Sequence, residues 1–210
     1  MKKLIFLLSI IIFSSRCFAQ DITSYVEGGA NISSLNVNPG SSATVSKKAQ
    51  ILFNLSFYSD INYGRFSFLP GLQFSGKGGD FVDNATSITK KLRLYYLEVP
   101  LNVVLNVKSG KNSWFFGGGP YLAGGIGGTL KTEEPTKSGK ASLKLFKKTS
   151  QFRIGDIGAG AIAGYKFNSG WIVSANYELG FANILTDRAN STGDIVIKNR
   201  NMNVSFGYVF

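Results

Sequence analysis

The chain has 210 residues, with 23 Lys and Arg against 12 Asp and Glu, a formal net charge of +11, one Cys and no His. A single cysteine excludes a disulfide framework, and the lack of histidine removes the commonest general base and metal ligand. After residue 20 no run is long and apolar enough for a membrane-spanning helix, which needs ~20 residues.

Residues 1–19 read as a cleaved signal peptide: Lys2 and Lys3 are basic, Leu4–Phe13 is apolar, and Cys17-Phe18-Ala19 has the small-x-small form of a cleavage site. A lipidated Cys17 is the competing reading, and Arg16 directly before it argues against that. Removing Lys2, Lys3 and Arg16 leaves 20 basic residues against 12 acidic, or +8, for residues 20–210, read as one domain. An exported basic chain meets anionic lipid or lipopolysaccharide before it meets nucleic acid, so no nucleic-acid partner is expected.

From there the sequence repeats one pattern, alternation of period two followed by a connection. Strands are expected near 22–33, 48–59, 65–76, 91–107, 113–127, 153–168, 171–182 and 200–210. In 48–59, Ile51, Phe53, Leu55 and Phe57 share one face, while Gln50, Asn54, Ser56 and Tyr58, followed by Asp60, take the other. In 91–107 an apolar face from Tyr95 to Val107 opposes Glu98, Asn102 and Asn106. From Trp171 onward, Val173, Ala175, Tyr177 and Leu179 oppose Ser174, Asn176 and Glu178. Pro70, Pro100 and Pro120 fall inside these strands and call for bulges or shorter limits. The glycine-rich stretch 113–127 leaves its facing open. Gly158-Ala-Gly160-Ala-Ile-Ala163 fits a dinucleotide fingerprint by letters alone, since no helix start follows it.

Connections near 60–64, 108–112 and 169–170 are short, and those near 34–47, 77–90, 128–152 and 183–199 are long and polar. An even number of strands with this alternation predicts an all-β fold, an eight-stranded antiparallel up-and-down transmembrane β-barrel, with both termini on the periplasmic side. A soluble eight-stranded cup is the structural rival, but Glu27, Glu98 and Glu178 on the inward face do not suit an apolar cup. Trp114, Trp171, Phe66 and Phe167 cluster at the short-turn end as an aromatic girdle. Phe206, Tyr208 and Phe210 form the outward face of the closing strand and read as a signal for the barrel assembly machinery. That strand must pair with the first one, because a membrane barrel has no free edge.

"YYLEVPL" (95–101), "WFFGGGPYLAGGIGG" (114–128), "GDIGAGAIAGYKF" (155–167) and "GYVF" (207–210) resemble the PorT-like outer-membrane β-barrel family. The resemblance implies an outer-membrane barrel, and for some relatives a part in protein secretion.

Glu27, Lys77, Glu98, Asp156, Lys166 and Glu178 are expected to face the lumen, either as a salt-bridged plug or as a gated ion path. The small interior of eight strands favours the plug. Of the 20 basic residues, 16 map to the long-loop end, Lys77, Arg93, Lys198 and Arg200 among them; only Arg65, Lys108, Lys111 and Lys166 map to the other. The segment 128–152, with Lys131, Lys137, Lys140, Lys144, Lys147 and Lys148 beside Leu143, Leu145 and Phe146, is the candidate for contact with lipopolysaccharide phosphates or a surface partner. No serine, acid and amide constellation supports catalysis, and no cofactor or metal is expected. The sequence thus points to a non-enzymatic structural or interaction barrel in outer-membrane lipid, with a secretion-system component or a narrow channel for small solutes as alternatives.

Overall fold

The computed structural model describes residues 22–38, 45–83, 88–133, 138–143, 152–186 and 195–210. The expected signal peptide, and Lys137, Lys144, Lys147 and Lys148 of the basic segment, lie outside them. The described residues form strands β1 (Ile22–Asn38), β2 (Val45–Lys48), β3 (Gln50–Tyr63), β4 (Phe66–Asp83) and β5 (Thr89–Ser109), then β6 (Asn112–Glu133), β7 (Ser138–Leu143), β8 (Gly155–Lys166), β9 (Trp171–Gly180) and β10 (Val196–Val209). Every pairing is antiparallel. The eight longer strands close a ring in the order β3-β1-β10-β9-β8-β6-β5-β4 and back to β3. The closing seam runs from Tyr25↔Val209 to Asn38↔Val196. Ser24 and Phe210 exchange backbone hydrogen bonds, N–H to O, at its short-turn end. Closure removes the free edges that hydrocarbon would not tolerate.

Alternation sets the two faces. On β3, Ile51, Phe53, Leu55 and Phe57 point outward and are exposed, while Asn54, Ser56, Tyr58 and Asp60 are buried. The arrangement inverts that of a soluble barrel and discards the cup reading. The outward apolar band begins with Ile22 and ends with Ile32 on β1, with Met202 on β10 and with Tyr95 on β5. At ~3.3 Å per residue and a tilt near 45°, its β1 stretch rises about 25 Å, the height of a bilayer's apolar band. Trp114, Trp171, Phe66 and Phe167 stand exposed at its short-turn edge, where Trp114 meets Tyr165 at 4.6 Å and Trp171 stacks on Phe206 at 4.8 Å. Three glycines in the left-handed region, Gly64 (φ 77), Gly110 (φ 63) and Gly170 (φ 88), make the short turns.

β1, β4, β5 and β6 run well past the limits expected from sequence, while β8 and β9 fall within theirs. β4 continues to Asp83, β5 starts at Thr89, and β6 extends to Glu133, so the supposed loops at 77–90 and 128–133 are largely strand. At ~3.3 Å per residue the 22 residues of β6 measure about 70 Å, far more than a tilted crossing requires. The surplus forms a sheet beyond the apolar band, with β2 added to β4 and β7 to β6. Lys131 and Lys140 therefore sit on paired strands, opposite each other in register, and not on a loop.

The prolines need neither bulges nor shorter strands. Tyr58↔Gly71 and Ile61↔Phe68 keep one register across Pro70; Pro70↔Leu101 and Gln73↔Glu98 do so across Pro100, and Pro100↔Tyr121 and Val103↔Gly118 across Pro120. Each ring skips a few ladder contacts with one neighbour and keeps the other. The one register shift between β5 and β6 lies elsewhere: Tyr95 pairs with Gly127 and Tyr96 with Gly125, leaving Ile126 as an extra residue. Below it, Phe115, Tyr121 and Ala123 face inward, which fixes the facing of the glycine-rich strand.

Candidate functional site

The lumen is filled in layers. At the short-turn mouth Lys166 of β8 pairs with Asp60 of β3, with its ammonium 5.2 Å from the Phe115 ring centre and 5.7 Å from that of Tyr25. Tyr25 stacks on Tyr58 at 5.2 Å. Above them Ser174 donates to Glu27 at 3.0 Å. Hydroxyls and amides follow: Ser205 donates to Asn54 (2.9 Å), Asn54 to Asn31 (2.7 Å), and Asn31 to Ser75 (3.1 Å).

The central layer holds Lys77, fully buried, with Nζ 3.0 Å from Oε2 of both Glu98 and Glu178. Its ammonium lies 4.1 Å from the centre of the Tyr121 ring. Two carboxylates and the face of an aromatic ring thus surround the one ammonium. Asn176 donates to Glu178 at 2.9 Å. Next, Asp156 Oδ2 accepts from Tyr121 (3.1 Å) and Asn199 (2.8 Å).

The six inward charges expected from sequence thus occupy successive layers, with Lys77, Glu98 and Glu178 in direct contact. Lys77 does not belong with the basic residues of the long-loop end; a fully buried ammonium adds nothing to an exposed positive surface. Asp60, read on the polar face of its strand but not among the six lumen charges, is the partner of Lys166. Both lysines bind acids across the ring, since β4 and β9, like β8 and β3, are four strands apart among eight.

Sequence reading missed the layer that closes the other end. Leu35, Val37, Leu92, Leu94, Phe152, Ile184, Leu185 and Ile197 form a buried apolar cluster, with Phe81, Leu130 and Ile195 packed against it. Phe152 and Ile184–Leu185 come from the connections and dock through the bridge Phe152↔Leu185 and the bond from Arg153 N–H to Ile184 O (2.8 Å). At the short-turn mouth the barrel opens instead into a cavity of about 880 Å3 lined by Asp60, Asn62, Arg65, Asn106, Lys108 and Lys166, among others.

Outside, the next outward residue beyond the apolar band is a cation on two strands: Arg200 follows Met202 on β10, and Arg93 follows Tyr95 on β5. Arg93 Nε donates to Gln50 (3.0 Å). Lys91 and Lys131 share Glu133, at 2.9 and 2.6 Å, which holds that exposed carboxyl below its ordinary pKa through the two lysine hydrogen bonds. No carboxylate among the described residues pairs with Lys198 or Arg200.

A family model described as "Outer membrane protein beta-barrel domain" matches residues 18–186. Among solved structures, the chain is similar to Ail, the attachment invasion locus protein of Yersinia pestis, at 16% identity over 90% of this chain and 98% of that one, with a TM-score of 0.46. It is also similar to Neisserial surface protein A (NspA), at 8% identity over 88% and 96%, with a TM-score of 0.44. No curated protein matches significantly.

Proposed function

Because the chain belongs to the outer-membrane protein β-barrel domain family, we propose that it is a non-enzymatic surface barrel whose work is done on its outside, where basic residues at the long-loop end hold lipopolysaccharide phosphates. One observation carries the reading: Arg93 and Arg200 stand at the edge of the apolar band, where lipid headgroups begin, and guanidinium is the side chain best matched to phosphate. Lys198 adds a cation beyond Arg200 on the same face, and Lys131 and Lys140 lie on the extended sheet. The lumen packed with buried side chains supports the same reading, since an eight-stranded barrel has little interior beyond what side chains fill. Residues 1–19 serve as the export signal, and the outward Phe206, Tyr208 and Phe210 as the face read by the assembly machinery.

The test is extraction from outer membrane in mild detergent, with phosphate and protein partners quantified. Bound lipopolysaccharide that falls several-fold in the double variant Lys198→Glu/Arg200→Glu supports the proposal. A stoichiometric secretion-system protein, with no charge dependence of lipid retention, would replace it with the PorT-like alternative.

A further inference from the structure

The cavity of about 880 Å3 lies at the short-turn mouth, the end that faces the periplasm in an outer-membrane barrel. Its size falls within the ~300–1,000 Å3 of small-molecule sites. Alternation turns its charged residues inward. Arg65 is in phase with buried Ser67 and Leu69, Lys108 with buried Asn102 and Val104, and Lys166 with buried Ile162.

The register arranges these residues side by side. Lys108 of β5 pairs with Ser113 of β6, and Ser113 pairs with Lys166 of β8. Arg65, at the start of β4, joins from the other side of β5, where the Asn106 N–H donates to its carbonyl oxygen at 2.7 Å. Three cations and a hydroxyl thus follow one another over four consecutive strands of the ring.

Charge in the cavity is unbalanced. Its lining holds three cations against one carboxylate, Asp60, which pairs with Lys166. No carboxylate among the described residues pairs with Arg65 or Lys108. Behind the row stand the fully buried Tyr25 and Phe115, and the Lys166 ammonium lies 5.2 Å from the Phe115 ring centre. Apolar packing behind a row of like charges focuses their field into the opening. Guanidinium, ammonium and hydroxyl are all donors, the groups that complement carboxylate or phosphate oxygens. No aromatic ring is among the lining residues, which leaves charge and hydrogen bonding to hold a ligand.

We propose that the short-turn mouth binds a small periplasmic solute with at least two negative charges, of the polycarboxylate or phosphate class. Arg65, Lys108 and Ser113 hold it, and Lys166 is shared between it and Asp60. The site lies at the end of the barrel opposite the lipopolysaccharide contact and does not depend on it.

The experiment is calorimetric titration of the full chain, refolded in uncharged, lipopolysaccharide-free detergent at ~0.15 M salt. The probes are propane-1,2,3-tricarboxylate, inorganic phosphate and, as the monoanion, acetate. Saturable binding of about one molecule per chain is expected for the tricarboxylate or phosphate, the tighter of the two assigning the class, with acetate about tenfold weaker or more. Arg65 and Lys108 are exposed, so truncating them leaves the barrel intact. Arg65→Ala and Lys108→Ala should each weaken binding several-fold, and together about tenfold or more, while Lys198→Glu/Arg200→Glu at the other end should leave it unchanged. Absence of saturable binding, binding unchanged in the double alanine variant, or acetate bound as tightly as the multivalent probes overturns the proposal.

Discussion

Lys77 of β4 and Glu178 of β9 stand on opposite walls of the ring, and the ammonium of one lies 3.0 Å from a carboxylate oxygen of the other. Together with Lys166 and Asp60 nearer the mouth, the pair ties the cylinder across its diameter. Removing Lys77 leaves Glu98 and Glu178 facing each other without a cation. Lys77→Met should therefore cost about 3–5 kcal/mol in urea unfolding, while Lys77→Met combined with Glu98→Gln and Glu178→Gln should recover much of that loss. Equal instability of the single and triple variants would mean that packing, not charge, is what Lys77 supplies.

The outward face sets a second expectation. Leu55 pairs with Gly28 and Phe74 in the middle of the band, and Leu55→Arg should destabilise by about 2–4 kcal/mol in a bilayer. Ser34→Arg lies beyond Ile32, level with Arg200, and should change stability by no more than about 0.5 kcal/mol. Similar costs at both positions would place the apolar band elsewhere.

Phe210 separates folding from assembly. Its backbone is bonded to Ser24 on both sides, whereas its exposed ring points outward, 6.5 Å from that of Phe57 between centres. Phe210→Ala keeps the backbone bonds, so refolded stability should fall by under about 1 kcal/mol, while the amount inserted in cells should fall several-fold. Full insertion of the variant would remove these aromatics from the assembly signal.

The filled lumen sets the electrical behaviour. Purified wild-type barrel should show no steady conductance in planar bilayers, because the cap of Leu92, Leu94 and Ile184 covers the long-loop end. Regular single-channel steps would make the narrow-channel alternative the better reading.

Where lipid contacts the wall, the sequence was readable residue by residue on strands other than the glycine-rich 113–127. Lipid demands apolar side chains outward, and period-two alternation records that demand directly in Ile51, Phe53, Leu55 and Phe57. Beyond the band the demand lapses. Gly78, Gly79, Lys90 and Thr132 are strand residues with polar or absent side chains, so their pairing left no alternation to find. The cap was illegible for another reason: Phe152, Ile184 and Leu185 lie in connections without a period-two pattern, and their partners are far away in the chain. The inward charges were readable as inward, but their pairing was not, because contact across a ring depends on shear and not on local pattern.

The extra residue Ile126 works as a change of phase in the wall. Without it, strict alternation from Phe115 and Tyr121 would carry Lys131 into the interior and turn Leu130 toward solvent. With it, Leu130 packs under the cap and Lys131 emerges beside Glu133. The membrane-crossing half of β6 and its protruding half are thus written in opposite reading frames, joined at one position. Indels at Ile126 should be far harder to accommodate than substitutions there, since losing one residue exchanges inside for outside along the remainder of the strand.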